Sequence, residues 1–250
     1  MIRAALLASA FAFSTLAFPQ AQPAHKFEPE VGQPGKDVVW VPTPQAVVDK
    51  MLDTAKVTPN DFVMDLGSGD GRTVITAAKR GAKALGIEYN PDMVALSKEN
   101  AQKAGVTARA EFRQADLFKT DLSQATVITM FLLPEINKKL RPEILKLKPG
   151  TRVVSNTFTM DDWTPDERAD LSSTCGASYC TALLWIVPAK VAGTYKVPEG
   201  ELRLTQNFQM LGGTLGGQKV TGRVRGYDVT VNAGGKEYRG RVNGKHLDLK

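Results

Sequence analysis

Val63-Met64-Asp65-Leu66-Gly67-Ser68-Gly69-Asp70-Gly71-Arg72 runs from an apolar stretch, through one acidic residue, into a glycine-rich turn and then into a segment with helical spacing. A strand that ends in such a turn and hands over to a helix is the ligand-binding corner of a parallel α/β sheet. Glycine there lets the backbone take φ angles closed to other residues and lets a ligand approach the main chain. One Gly-x-Gly is weak by itself, so its surroundings decide what it binds.

Glu88 ends the next strand, about 20 residues on, where an acidic side chain accepts hydrogen bonds from both hydroxyls of a ribose. A dinucleotide fold shares these two features, so the third glycine decides: Gly-x-Gly-x-x-Gly needs a small residue at position 72, and this chain has Arg72. Asp65 would repel a phosphate but suits a ligand that carries positive charge, such as the α-ammonium and sulfonium of S-adenosylmethionine. Beyond the third strand, Gln114-Ala115-Asp116-Leu117-Phe118 adds an acidic side chain, Asp116, able to accept an adenine amino group, and an apolar one, Leu117, able to cover the ring.

Around this corner strands and helices alternate. Thr43-Pro44 reads as a helix start with Thr43 as N-cap, followed by Val47, Val48, Met51, Leu52 and Ala55 at helical spacing. Strands are expected at Phe62 to Leu66, Ala84 to Glu88, Ala110 to Gln114, Thr126 to Phe131, Thr151 to Phe158 and Leu183 to Val187. Helices are expected at Arg72 to Lys79, Pro91 to Ala104 (capped by Asn90) and Pro134 to Leu147. The pattern predicts an α/β domain over residues 38–188 with a Rossmann-like, doubly wound, mostly parallel seven-strand sheet. Beyond Pro188 the helical spacing stops. Leu202, Leu204, Phe208 and Met210 fall on alternate residues, as do Tyr227, Val229 and Val231, and Asn232-Ala233-Gly234-Gly235 reads as a hairpin turn. Residues 189–250 therefore read as a small antiparallel β C-terminal module that caps the first domain or docks a partner.

Residues 1–24 read as a signal peptide, because Met1-Ile2-Arg3 precedes an apolar run, Ala4 to Phe18, too short to span a bilayer comfortably. An uncleaved anchor and a helix of the mature domain stay open as alternatives. Residues 25–37 are a polar linker. Export to the periplasm or medium would place the chain in an oxidising compartment, where Cys175 and Cys180 are spaced for a local disulfide; two buried thiols are the other reading. With only His25 and His246, and neither a CxxC nor an HExxH pattern, no metal site is expected. The net charge of +6 lies in residues 190–250, which hold eleven Lys/Arg against five Asp/Glu. That bias could suit contact with an anionic membrane surface, but scattered Lys and Arg on exposed strand faces are more often a solvated surface. The basic residues are not interleaved with a stacking platform, so nucleic acid is not an expected partner. Oligomeric state is not legible.

Taken together, DLGSGDG, GIEYNP and ADLF resemble the class I, seven-strand S-adenosylmethionine-dependent methyltransferases over about residues 38 to 187. VWVPTP, DLGSGDGR, IEYNP, FLLPEINKKLRPEI and PGTRVVSNTF are similar, more narrowly, to the mitochondrial protein-lysine methyltransferases that modify the ATP synthase c-subunit or the adenine nucleotide translocase. The resemblance to non-SET histone lysine methyltransferases is more distant. The resemblance implies S-adenosylmethionine as cofactor and a protein lysine as methyl acceptor. It implies that Asp65, Gly67 and Gly69, with Ser68 in the same turn, hold the methionine end, Glu88 the ribose, and Asp116 with Leu117 the adenine. It also implies that Thr43 belongs to a lead-in closing over the cofactor, and that Met130 to Pro134 lies beside the transferred methyl. The chain lacks the Asn-Pro-Pro-Tyr motif of DNA-adenine and glutamine methyltransferases and the Asn of the histone enzymes. An apolar Met-Phe-Leu-Leu wall could instead form a lysine channel, or simply be the end of a buried strand.

Methyl transfer from a sulfonium needs positioning more than a dedicated base. If a base exists, Asp161 and Asp162 are candidates, since they follow a sheet strand at the ligand edge, with Trp163 as part of a substrate wall. Exposed loop acids are the plainer reading of both. Asn156 is a further candidate at the same edge. A small-molecule methyltransferase with the β module as a lid, and a non-catalytic cofactor-binding envelope protein, remain as alternatives.

Overall fold

The computed structural model describes residues 27–244 and 246–250, so the signal peptide expected over 1–24 lies outside the described residues. The first sheet holds β1 (Phe62–Leu66), β2 (Lys83–Glu88), β3 (Ala110–Gln114), β4 (Val127–Met130), β5 (Arg152–Asn156), β6 (Glu167–Asp170) and β7 (Thr181–Ile186) in the order β3-β2-β1-β4-β5-β7-β6. Parallel pairing joins β3 through β5, whereas β7 runs antiparallel to both β5 and β6. The sheet is therefore mixed rather than purely parallel, on a Rossmann-like plan.

Alternation along the strands splits the core in two. Val63, Ala84, Ala110, Phe112, Val127, Val154, Ala182 and Leu184 meet the apolar faces of α1 (Gln45–Thr54), α2 (Arg72–Lys79) and α3 (Pro91–Lys103). On the other face, Met64, Leu66, Leu85, Ile87, Ile128, Met130, Val153, Leu183 and Trp185 meet α4 (Pro134–Ile144) and connecting loops. The expected double winding is thus lopsided: among the described residues three α-helices cover one face, and one α-helix with the short helical turn Leu117–Lys119 covers the other. The remaining cover on that second face includes Phe208, from the C-terminal module.

Local signals explain most of the boundaries. Asn90 caps α3 as expected, its side chain accepting the Asp92 and Met93 amides, and Pro91 fits the first turn. Thr43 does not cap α1. Pro44 is the cap residue and no side chain caps that helix. β6 escaped prediction because Glu-Arg-Ala-Asp carries no apolar alternation; it is an edge strand paired only with β7.

The second sheet is a meander, β8 (Gly193–Val197), β9 (Gly200–Asn207), β10 (Met210–Leu215), β11 (Gln218–Arg225), β12 (Asp228–Ala233), β13 (Lys236–Asn243) and β14 (His246–Leu249), each strand antiparallel to the next. β14 curls back to touch β8, so the sheet approaches a closed barrel around Leu202, Leu204, Val220, Val224, Val229, Val231 and Val242. The hairpin expected at 232–235 forms with Ala233 paired to Lys236, and its two turn residues, Gly234 (φ 58°) and Gly235 (φ 81°), both need positive φ. Phe208 and Met210 do not continue the β9 alternation. Phe208 sits at φ 51° in the turn that pairs Asn207 with Met210.

The module is docked, not tethered. Trp163 is fully buried, stacks on Phe208 at 5.8 Å, and donates Nε1–H to Gln209 Oε1 at 2.9 Å, while Gln209 Nε2 donates to the Thr164 carbonyl. Arg223 pairs with Asp166 and Arg225 with Glu167 across the same seam. Trp163 is thus interface core and does not form a substrate wall. Arg203, Lys236, Arg239 and Arg241 are also ion-paired, each with an acid of the module itself, so much of the module's positive charge is already met.

Candidate active site

The carboxyl edge of the first sheet brings the expected ligand residues together. Register places Asp65 between Gly86 and Thr129, and Glu88 beside Gln114. The cleft above them is lined by Thr43, Asp65, Gly67, Ser68, Gly69, Glu88, Asp116, Leu117 and Met130, all nine of the residues expected to hold the cofactor.

The turn after β1 has the required shape. Gly69 stands at φ 53°, and a Cβ there would lie 2.6 Å from Trp40 Nε1. Gly71 stands at φ 84° as the cap residue of α2, with Phe112 2.8 Å from the place a Cβ would take. Neither position tolerates a side chain. Arg72, the residue that departs from the dinucleotide pattern, grips Asp70 through two nitrogens and donates Nη1–H to the Thr43 carbonyl at 2.9 Å. The arginine therefore ties the glycine turn to the lead-in, and Thr43 contributes a carbonyl instead of a helix cap.

Asp65 is buried and accepts Thr129 Oγ1–H at 2.6 Å. Burial, with Asp70 and Glu88 nearby, pushes its pKa up to about 7. A buried carboxyl that has no cationic partner among the described residues fits a ligand that brings its own positive charge. The Glu88 carboxylate accepts the Gly69 amide at 3.0 Å on one oxygen and the Tyr89 and Asn90 amides on the other, so it also braces the glycine turn. Asp116 accepts the Phe118 amide at 2.9 Å, and Lys36 Nζ lies 2.8 Å from its other oxygen, which holds the carboxyl below its usual range. An adenine amino group would share Asp116 with Lys36.

The segment read as a linker supplies part of the wall. Gly32 and Trp40 are joined by a backbone hydrogen bond, Gly35 donates its amide to Val38, and residues 33–41 border the cleft. Trp40, Lys36, Asp37, Tyr89 and Met93 also line it and were not foreseen as ligand residues. The signal was present in Trp40 and Tyr89, aromatic residues within VWVPTP and IEYNP. Lys36 and Asp37 had none, because a polar Pro- and Gly-containing stretch looks the same whether it is folded or not.

Asp161 and Asp162 stand apart from the cleft. Asp161 lies 2.9 Å from Lys138 Nζ and Asp162 pairs with Arg141, both partners on α4, and neither acid is among the residues lining the cleft. Asn156 is fully buried at the end of β5; its Oδ1 accepts Thr157 Oγ1–H, and its amide nitrogen has no acceptor among the described residues. It too stands outside the cleft lining. Cys175 and Cys180 are paired as a disulfide, with Cα atoms 6.0 Å apart.

Comparison with known proteins matches this geometry. The model of the ANTKMT methyltransferase domain matches residues 65–167. A protein-lysine N-methyltransferase of Saccharolobus islandicus is 50% identical over 133 residues, covering 52% of this chain and 83% of the relative. The lysine N-methyltransferase of the ATP synthase c-subunit from Mus musculus is 42% identical over 108 residues, 42% of this chain; the chain spans only 42% of that relative's length. A crystal structure of an RNA methyltransferase from Salinibacter ruber with S-adenosyl-L-homocysteine superposes with a TM-score of 0.57 at 48% identity, over 60% of this chain and 96% of that one. The cofactor is S-adenosylmethionine, and the chain belongs to the family of methyltransferases built on the ANTKMT methyltransferase domain.

Proposed function

We propose that the chain methylates the ε-amino group of a lysine in a protein. The observation that carries this reading is the charge of the cleft. Asp37, Asp65, Asp70, Glu88 and Asp116 line it against Lys36 and Arg72, and both cations are paired with acids of the same set. An alkylammonium is drawn to such a cleft, and a phosphate backbone is repelled. Met130, Phe131 and Leu132 add an apolar wall against which an amine is desolvated, which favours its neutral, nucleophilic form. When bound, S-adenosylmethionine supplies an electrophilic methyl on a sulfonium. With so good a leaving group, orientation and local field suffice. Asp161 and Asp162, held by α4, are not needed as a base. The archaeal relative's name, protein-lysine N-methyltransferase, supports the same acceptor.

RNA is the competing acceptor, because the Salinibacter ruber protein is described as an RNA methyltransferase. The test is to incubate the purified protein with methyl-labelled S-adenosylmethionine and separate protein and RNA fractions of its host. Label in protein, recovered as methyllysine after hydrolysis, is expected; label in RNA would overturn the reading. Among the described residues, none after Pro188 lines the cleft, so the β module offers no lid for a small acceptor. The Cys175–Cys180 pairing supports work in an oxidising compartment after export. Fractionation of the host checks this, and recovery of the protein with cytosolic markers would count against it.

A further inference from the structure

A second, solvent-open groove of about 400 Å³ adjoins the cofactor cleft. The two share part of the 34–41 segment, together with Phe131 and Leu132, as a common wall. Leu133, Phe158 and Tyr179 close the groove's far side and take no part in the cleft. Three rings form a triangle there: Phe131–Phe158 at 5.9 Å, Phe131–Tyr179 at 5.3 Å and Phe158–Tyr179 at 5.5 Å between centroids. Val39, Leu133 and Tyr179 are 54%, 46% and 37% exposed, and they join the rings in one apolar patch at the surface. The charged side chains of the groove are Lys36, which lies against Asp116, and Asp37 on the shared wall.

We propose that this groove is the entry for the acceptor lysine, presented from an apolar stretch of its protein. The aliphatic stem lies on Phe131, Phe158 and Tyr179, and the ammonium meets Asp37 where groove and cleft join. This rests on the lysine reading above and names the residues that would select for it. The argument is continuity and chemistry. The groove opens onto the cofactor cleft through residues common to both. Aromatic faces accept a methylene stem and a cation together, and the carboxylate adds the opposite charge. Tyr179 is carried on the loop closed by Cys175 and Cys180, so its ring is held in place by a covalent tie at the head of β7.

The test uses the full chain and a probe that needs no identified acceptor: a nitrogen analogue of the cofactor in which a four-carbon aminoalkyl arm replaces the methyl. Calorimetry compares it with S-adenosylhomocysteine. The arm is expected to tighten binding about tenfold in the unaltered protein, from burial of its stem. Phe158→Ala and Tyr179→Ala should each remove most of that gain while leaving the affinity for S-adenosylhomocysteine unchanged, and Tyr179→Phe should keep it. Tyr179 is at the surface, so its removal spares the core. An arm that gains nothing, or a gain that survives both alanine variants, overturns the proposal. Methyllysine in the labelling experiment with an unresponsive arm condemns the groove alone, whereas label in RNA condemns the acceptor and the groove together.

Discussion

A carboxyl group buried at the edge of a sheet with only threonine hydroxyls to answer it, as Asp65 is beside Thr129 and Thr73, cannot be indifferent to pH. Its folded pKa of about 7 lies above the ordinary 3.8, so the folded chain without ligand binds the extra proton between those values. Its contribution to stability is therefore fully present below the lower value and is lost as pH rises through the upper one. The cofactor's positive charge selects the ionised form, so affinity should rise over the same window. Titration calorimetry from about pH 5.5 to 7.5 should show that rise, and Asp65→Asn should flatten it. Asp65→Ala should weaken binding by about 1.5–3 kcal/mol. Glu88→Ala should cost a comparable amount, and because Glu88 also accepts the Gly69 amide, hydrogen exchange at the glycine turn should quicken in that variant. Unchanged cofactor affinity in both alanine variants would sink the site assignment.

Elements owe their positions partly to neighbours in sequence and partly to groups far along the chain, and only the first kind could be read in advance. The β1 turn, the Asn90 cap and the Gly234-Gly235 hairpin declare themselves within a few residues, and so the ligand edge was legible. Trp163 was not: its burial depends on Phe208 and Gln209, about 45 residues later. For the neighbouring acids, Asp161 and Asp162, the sequence left the choice between a base and a plain loop acid open for the same reason, since Lys138 and Arg141 reach them from α4. Gln209→Ala should leave the Trp163 indole N–H buried and unsatisfied, lowering stability by about 1–3 kcal/mol in thermal or denaturant unfolding. It should leave cofactor affinity unchanged. At the loop before β7, Cys175→Ser with Cys180→Ser should raise KM for the protein acceptor several-fold through Tyr179, with the cofactor's Kd unaltered. An unaltered KM would show that the loop holds its shape without the bond.

For the molecule as a whole, the C-terminal module joins the core of the first sheet through Phe208, which packs in one cluster with α4, Trp163 and Trp185. Residues 27–188 expressed alone should therefore lose cooperative unfolding or aggregate, as checked by calorimetry and light scattering. Arg223→Ala is a milder probe of the seam: it strands the Asp166 carboxylate, which is only 1% exposed, and should cost about 1–3 kcal/mol. The near-closure of the C-terminal meander has a different bearing. Where β14 approaches β8, the two edge strands of the seven-stranded sheet lie close to each other, which narrows the rim on which another chain could add a strand. In the first sheet, the β6 end is flanked by Arg223 and Arg225, which hold Asp166 and Glu167. Main-chain zippering, the least selective way for two proteins to join, is thereby hindered at the C-terminal half, and the proposed protein acceptor would be chosen by what its side chains offer at the cleft.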